Sequence, residues 1–279
     1  MANTANLSFE FFPPKNPGQM ERLEQTRARV EAFQPSYYSV TFGAGGSTRQ
    51  GTLNTILSLK RHGTAQVAPH ISCMGFDRGE IDELVRTYRS LGITRLVALR
   101  GDMMSGYGTL GELAYASELV AHIRETTGDH FHIEVACYPE MHPEARNPSS
   151  DLDHFKEKVE AGADGAITQY FFNADAYFRF VERCRKAGID IPIVPGIMPI
   201  TNYAQLRRFS QLCGAEIPRW LAYRMLELSD DKPALAELGA DFIADMCRRL
   251  LDGGAPGLHI YTLNRAQATL AICENLGLD

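Results

Sequence analysis

The sequence predicts an α/β fold, a (β/α)₈ barrel in which residues 1–279 form a single domain. Short segments rich in β-branched and aromatic residues recur along the whole chain, and a helical pattern follows each of them. Eight such strands end near positions 10, 41, 70, 100, 137, 169, 195 and 261, so successive ends lie 26 to 37 residues apart before a last gap of 66. A period of about 30 residues is that of one β-α unit. Composition does not change along the chain, which favours one domain.

The strand candidates are short and mostly apolar, as expected for strands buried on both faces of a parallel sheet. They are predicted at residues 7–12, 37–42, 66–72, 95–99, 132–137, 165–171, 191–195 and 258–263.

The helix candidates are amphipathic, and several end at a glycine suited to a helix C-cap, such as Gly92, Gly162 and Gly188. The long last gap holds two or three helical stretches. Helices are predicted at residues 19–33, 78–91, 112–125, 152–161, 174–187, 203–212, 219–228 and 234–251. A doubly wound open sheet remains the alternative, since the pattern alone does not establish that the sheet closes.

Composition narrows the functional classes. Hydrophobic residues make up 44% and charged residues 22% of the chain, which is typical of a globular protein. The net charge of -6 argues against a general nucleic-acid or membrane-surface binder. The six cysteines lack zinc-ligand spacing and are too dilute for a disulfide framework, so we expect no metal site and buried thiols in a reducing compartment. Without a signal peptide or an apolar span long enough for a bilayer, a cytoplasmic protein is expected.

The first predicted strand carries Glu10 between phenylalanines. An apolar setting disfavours the ionised carboxylate and suits a general acid. The alternative is a structural glutamate paired with an Arg or Lys elsewhere in the barrel. In this barrel type the active site lies at the carboxyl ends of the strands, where Glu10 is placed.

The second and fourth strands end in glycine-containing segments. Thr41 precedes a glycine-rich stretch that ends in a Ser-Thr helix cap. Such a stretch could expose backbone N–H groups to an anion, but a plain turn followed by a helix cap explains it equally simply. At the end of the fourth strand, Arg100 offers a forked hydrogen-bond donor and Asp102 an acceptor, and Gly101 lets the backbone approach a ligand closely. The alternative is a salt bridge between Arg100 and Asp102. The chain has no dinucleotide or P-loop fingerprint.

Other strand ends are polar too. His70 ends the third strand, where a satisfied core imidazole is the plainer interpretation, and a proline-braced loop with Tyr138 and His142 follows the fifth. Gln169 ends the sixth strand among aromatic residues and could pair with the edge of a heterocycle. Tyr261, with Arg265 after it, ends the eighth strand.

Taken together, these strand ends resemble the motifs of the bacterial, FAD-dependent 5,10-methylenetetrahydrofolate reductases. Seven motifs occur in the same order over essentially the whole chain. They are SFEFFPP (residues 8–14), VTFGAGGSTR (40–49), ALRGD (98–102), YPEMHPEA (138–145), AITQYFF (166–172), PGIMP (195–199) and YTLNR (261–265).

The resemblance implies a flavin-binding catalytic barrel that holds FAD without a Rossmann domain. It also implies the reaction: NADH or NADPH reduces the flavin and leaves, and 5,10-methylenetetrahydrofolate then takes its place and receives a hydride. The product, 5-methyltetrahydrofolate, supplies methyl groups for methionine synthesis. The expected partners are these small molecules, with neither nucleic acid nor membrane, and self-association into a homo-oligomer is expected.

The resemblance also assigns roles around the substrate. Glu10 matches the general acid that opens the imidazolidine ring by protonating the N10 side and leaves a 5-iminium cation. Asp102 matches a carboxylate near flavin and pterin that stabilises this cation. Gln169 matches a pterin-contacting amide, and Phe209 an aromatic that adjusts between nicotinamide and folate. Tyr261 and Arg265 match residues near the outer part of the substrate.

On the flavin side, Arg100 and Lys158 would neutralise phosphate and Tyr138 would offer its ring to the flavin. The matching positions are Thr41, His70, Arg100, Gly101, Asp102, Tyr115, Ala116, Tyr138, His142, Asp151 and Lys158.

Two other functions stay open from the residues alone. One is a flavin-free barrel lyase or pterin-binding methyltransferase with Glu10 and Asp102 as acid and base. The other is a non-catalytic flavin or folate binder, against which the presence of both carboxylates argues. The sequence does not decide between NADH and NADPH.

Overall fold

The computed structural model describes residues 6–42, 49–101 and 111–278. Over these ranges the nine strands are all parallel to their neighbours. They are β1 (Asn6–Phe11), β2 (Tyr37–Val40), β3 (Gln66–Ser72), β4 (Arg95–Leu99), β5 (His132–Cys137), β6 (Gly165–Thr168), β7 (Ile193–Val194), β8 (Gly196–Ile197) and β9 (Gly257–Tyr261).

The sheet closes into a barrel, which confirms the predicted fold and excludes the open sheet. Strand β1 pairs with β2 on one side and β9 on the other, and the order continues from β2 to β7 in sequence. The strands β7 and β8 are two parts of the seventh barrel strand, interrupted at Pro195, which has no N–H to donate. The first part pairs with β6 and the second with β9.

Helices cover the outside of the barrel. A 3₁₀ turn (Glu31–Phe33) follows the first helix. The helices are α1 (Pro17–Val30), α2 (Arg49–His62), α3 (Arg78–Ser90), α4 (Ala116–Thr127), α5 (Pro148–Glu160), α6 (Ala174–Lys186), α7 (Tyr203–Cys213), α8 (Arg219–Glu227), α9 (Lys232–Asp252) and α10 (Ala266–Asn275).

Side-chain caps fix where several helices begin. Asp77 accepts from the Glu80 backbone N–H while the Glu80 side chain accepts from Asp77, and Asn147 caps α5 just before a proline. Helix α4 begins four residues later than the pattern predicts, because the Glu118 carboxylate accepts the backbone N–H groups of residues 114 and 115. The sequence pattern did not identify α10.

Two groups of apolar side chains form the core. The larger lies between the strands and the helices. The smaller fills the inside of the barrel and consists of Tyr37, Ala68, Val97 and Ile167, with Leu99 beside them. The rest of the inner wall is strongly polar, as described below. None of the described helices is long and apolar enough to cross a membrane.

Candidate active site

Glu10 points into the barrel near the carboxyl ends of the strands. Side chains alternate along a strand, so Phe9 and Phe11 point the other way and are fully buried against the helices. The carboxylate therefore meets imidazoles: its Oε2 lies 3.5 Å from Nε2 of His70 and 3.7 Å from Nε2 of His259. Among the described residues no Arg or Lys lies within ion-pair distance of Glu10, which leaves the structural-glutamate alternative without its partner.

The loop after β9 holds the backbone of Glu10. The hydroxyl of Thr262 donates to the Glu10 carbonyl at 2.6 Å, and its backbone N–H donates to the same oxygen at 3.3 Å. The side chain of Asn264 accepts from the Phe12 N–H at 3.1 Å and donates to the Phe12 carbonyl at 2.8 Å. Asn264 adopts a left-handed backbone, as does Leu263. Such conformations cost energy outside glycine and concentrate at functional sites.

Two buried polar atoms near Glu10 lack a hydrogen-bond partner within the described part of the chain. They are Oγ1 of Thr41, just after β2, and Nε2 of His70 on β3. Burial lowers the pKa of His70 to about 4, partly opposed by the charge of Glu10, so the imidazole is neutral at physiological pH. Buried polar groups are nearly always paired, so these two atoms fit a polar ligand at the mouth of the barrel.

Tyr261 is held beside Glu10, at the level of Glu10 on the neighbouring strand β9. Its hydroxyl donates to the Thr168 carbonyl at 2.8 Å. A side chain at Gly196 would place its Cβ 2.2 Å from that carbonyl oxygen and 2.6 Å from the Tyr261 hydroxyl, so only glycine allows this contact. Burial, and then the charge of Glu10, raise the pKa of Tyr261, which keeps it a phenol.

Gln169 directly follows β6, and Phe209 is a partly buried residue of α7. The Gln169 side-chain oxygen accepts from the backbone N–H of Tyr170. The Tyr170 hydroxyl lies 3.2 Å from the Ser210 hydroxyl, which ties α7, and with it Phe209, to the end of β6. Arg265 is exposed at the start of α10.

A second group of predicted residues lies on the rim beyond β4 and β5. Arg100 donates to Glu144 at 2.5 Å, and this hydrogen bond lowers the pKa of Glu144. The rings of Tyr138 and His142 pack edge to face at 4.6 Å. Burial and the nearby charge of Arg100 lower the pKa of His142. The Asp151 carboxylate accepts the backbone N–H of His142 at 3.1 Å.

The rim extends to the first turns of α4 and α5. Tyr115, half exposed, stacks on His154 with the ring centres 5.9 Å apart, and Ala116 follows it as the first residue of α4. Lys158 points back toward the barrel and donates to the Ala136 carbonyl at 2.6 Å, and burial lowers its pKa. The structure pairs Lys158 with backbone, and its predicted phosphate contact stays a prediction.

Gly101 adopts a left-handed backbone against Ser72, where a Cβ would lie 2.2 Å from Oγ. Asp102 and the glycine-rich residues 43–48 lie outside the described residues, so their predicted roles stay predictions. Within residues 6–42, 49–101 and 111–278 no cluster of His, Cys, Asp or Glu could hold a metal ion.

Sequence reasoning missed several polar residues inside the barrel, namely Ser8, Ser39, Glu134 and His259, and two on the rim, Glu144 and His154. His259 is fully buried, and Glu134 is 4% exposed. A signal was available: polar residues at alternate positions of predicted strands point to one face, and in a closed barrel that face is the interior.

Known proteins are similar to this chain over nearly its whole length. The family model described as Methylenetetrahydrofolate reductase matches residues 1–277. The 5,10-methylenetetrahydrofolate reductase of Escherichia coli strain K12 is 40% identical over 273 residues, which cover 98% of this chain and 91% of that protein. Methylenetetrahydrofolate reductase (NADH) 1 of Arabidopsis thaliana is 39% identical over 285 residues, covering 98% of this chain and 48% of that protein.

Among solved structures, an uncharacterized protein from Clostridium thermocellum that binds two copies of 5-methyl-5,6,7,8-tetrahydrofolic acid superposes with a TM-score of 0.67. It is 17% identical, and the match covers 98% of this chain and 93% of that one. A phosphoenolpyruvate phosphomutase from Streptomyces platensis subsp. rosaceus has a TM-score of 0.52 at 12% identity, covering 95% of this chain and 78% of that one. At these identities the likeness concerns the fold.

Proposed function

The chain belongs to the methylenetetrahydrofolate reductase family, an enzyme family of folate reduction, and from this premise we propose the detailed reaction. It binds FAD and uses NADH or NADPH to reduce 5,10-methylenetetrahydrofolate to 5-methyltetrahydrofolate. The two substrates occupy the same site in turn. The product donates methyl groups for methionine synthesis, and the enzyme acts in the cytoplasm as a homo-oligomer.

Two buried polar atoms near Glu10 that have no hydrogen-bond partner among the described residues carry this proposal. Thr41 Oγ1 and His70 Nε2 are both positions that the family resemblance assigns to flavin. A hydroxyl can donate or accept and a neutral imidazole can do either at Nε2, so both suit the polar edge of an isoalloxazine ring. A lyase or methyltransferase that bound only a pterin would leave the polar rim around Arg100 and Tyr115 without a ligand.

The flavin, when bound, supplies the hydride chemistry that no side chain can provide. Around it, Arg100 would face the pyrophosphate, Tyr138 the ring system, and the stacked pair of Tyr115 and His154 the exposed end of the cofactor. Asp151 and Lys158 brace the loop and strand behind these residues. His142, Ala116 and Gly101 complete the cofactor side.

A side chain of the protein supplies the proton that the folate needs. We assign Glu10 as the acid that protonates N10 of the folate, which opens the five-membered ring and generates the 5-iminium cation. Asp102 stabilises this cation by its charge. Gln169 pairs with the pterin edge, Phe209 packs against whichever substrate is present, and Tyr261 and Arg265 contact the outer part of the folate. The methyltetrahydrofolate-binding Clostridium thermocellum protein supports a folate as ligand of a barrel of this shape.

An anaerobic absorbance experiment tests the proposal. The purified protein should show flavin bands, which bleach with NADH or NADPH and return on addition of 5,10-methylenetetrahydrofolate. A colourless protein that does not take up added FAD would exclude the flavin assignment and favour a flavin-free lyase or methyltransferase. Flavin that is reduced but not reoxidised by the folate would favour a binding protein.

A further inference from the structure

Tyr170 connects three residues that the proposed function places against the substrates. It directly follows Gln169, whose side-chain oxygen accepts the backbone N–H of Tyr170 at 3.0 Å. Its ring packs edge to face on Tyr261, with the ring centres 6.5 Å apart. Its hydroxyl lies 3.2 Å from the hydroxyl of Ser210, the residue after Phe209 on α7. A side chain without an assigned role thus links Gln169, Tyr261 and the helix that carries Phe209.

The hydrogen bond between Tyr170 and Ser210 is buried. Tyr170 is 3% exposed and Ser210 is 5% exposed. Burial raises the pKa of Tyr170, which therefore stays a phenol at physiological pH. Each hydroxyl can donate or accept, and within the described part of the chain the Ser210 hydroxyl has no other hydrogen-bond partner. Breaking this bond leaves a buried hydroxyl unpaired, which costs free energy.

Helix α7 has few other contacts that fix its position. Of its eleven residues only Leu206 and Ser210 are buried, and Phe209 is partly buried against the core. Within residues 6–42, 49–101 and 111–278, no residue of the barrel other than Tyr170 is hydrogen-bonded to a side chain of α7. An element with few buried apolar contacts opens easily, so a single buried polar contact has a large effect on where it lies.

We propose that Tyr170 is a positioning residue, which through Ser210 holds α7 in the place where Phe209 packs against whichever substrate is bound. The inference rests on the proposed role of Phe209. Because Phe209 precedes Ser210 in the helix, a movement of α7 that breaks the bond also moves the ring. The bond therefore sets how tightly NADH or NADPH and the folate bind. It does not involve the proposed proton donor, Glu10, which lies on β1.

Tyr170→Phe separates this link from the other two contacts of Tyr170. Phenylalanine keeps the ring that packs on Tyr261, and it keeps the backbone N–H that the Gln169 side chain accepts. Only the hydroxyl is lost, and with it the bond to Ser210. An effect of this variant on substrate binding therefore reports on the link to α7.

Tyr177 on α6 provides a matched control. It is 3% exposed, as Tyr170 is, and its hydroxyl donates to the Ile193 carbonyl at 2.8 Å. Tyr177→Phe therefore removes an equally buried tyrosine hydroxyl without touching α7. Ser210→Ala breaks the same bond as Tyr170→Phe from its other end, and it replaces Tyr170→Phe if that variant does not fold.

The first measurement is amide hydrogen exchange, followed by mass spectrometry on the protein as purified. We expect the peptides that cover residues 203–213 to exchange about 5-fold faster in Tyr170→Phe and in Ser210→Ala than in the wild type, and to be unchanged in Tyr177→Phe. Unchanged exchange of α7 in both Tyr170→Phe and Ser210→Ala would overturn the proposal. This readout needs no turnover, so it decides whether Tyr170 holds α7 even if the proposed reaction is wrong.

The second measurement is the substrate dependence of the two half-reactions in stopped-flow. In Tyr170→Phe the half-saturating concentrations of NADH and of the folate should each rise about 5-fold, while both limiting rates stay those of the wild type. In a Phe209→Ala background Tyr170→Phe should add nothing. A fall in the limiting rates at unchanged half-saturation, an equal effect of Tyr177→Phe, or a full further loss in the Phe209→Ala background would contradict the proposal. A wild type that cannot reduce the folate would instead refute the proposed function.

Discussion

Replacing Thr262 by Val tests how the loop after β9 holds the proposed acid. The Thr262 hydroxyl donates to the Glu10 carbonyl at 2.6 Å and accepts from the Asn264 N–H at 3.1 Å. Valine keeps the shape and loses both bonds. The Glu10 carbonyl keeps one donor, the backbone N–H of residue 262, but the Asn264 N–H is left buried without a partner.

The magnitude follows from these two bonds. The lost bond to Glu10 costs about 1 kcal/mol, and the unpaired N–H costs about 1–3 kcal/mol. The added buried methyl returns about 0.8 kcal/mol. We expect a net loss of about 2 kcal/mol in the free energy of unfolding, equivalent to a fall in Tm of about 3–4 °C for a chain of this size.

Thermal and urea unfolding of Thr262→Val and Thr269→Val measure the difference. Thr269 is equally buried, but its hydroxyl makes a single long bond of 3.4 Å to the Arg265 carbonyl within a helix. Its replacement should cost less than about 1 kcal/mol. Thr262→Val should also slow folate reduction more than flavin reduction, because it loosens the backbone of Glu10. Equal destabilisation by the two variants would refute the account of the loop.

Three further predictions address the site. Glu10→Gln should leave flavin reduction by NADH or NADPH nearly intact and slow folate reduction at least ~10²–10⁴-fold in stopped-flow half-reactions. The control Glu140→Gln changes a carboxylate that accepts the Glu216 N–H and should affect neither half-reaction. Equal loss in both half-reactions of Glu10→Gln would contradict the assigned acid. Asp102→Asn should make the flavin easier to reduce and slow folate reduction, and an unchanged reduction potential would place its charge away from the ring. His70 has a pKa lowered to about 4 from 6.5, so between these pH values the unfolded chain binds a proton that the native protein does not. The free energy of unfolding should therefore fall between pH 6.5 and 4 by up to about 3 kcal/mol. A His70→Gln variant whose free energy of unfolding follows the same pH dependence as the wild type would disprove this role of His70.

The regular part of the fold could be predicted because buried parallel strands leave a clear local pattern. The bounds of β3, β4 and β5 agree with the predicted segments, since each is a short, mostly apolar run between turn residues. The division of the seventh strand could not be predicted in this way. Proline removes one donor, but only the pairing of β7 with β6 and of β8 with β9 shows that the chain changes partner there.

The positions of the strand-end residues were predictable, whereas their surroundings were not. Glu10 was expected among phenylalanines because its sequence neighbours are Phe9 and Phe11. Strand alternation turns those rings to the opposite face and gives Glu10 neighbours from β3 and β9 instead. The contact between Ser8 and His259 joins residues 251 positions apart, and it exists only because the barrel closes.

Register explains why polar side chains from neighbouring strands surround the proposed acid. Ser8 is level with Tyr37 on one side and His259 on the other, and Glu10, two residues later, is level with Ser39 and Tyr261. Three neighbouring strands therefore each contribute two inward polar side chains at alternate positions. A slip of one residue in β1 would turn Ser8 and Glu10 toward the helices and bring Phe9 into the polar interior. The apolar packing of Phe9 and Phe11 outside the barrel thus fixes the same register that aims Glu10 at His259, so the folding of β1 and the placement of the acid depend on one pattern.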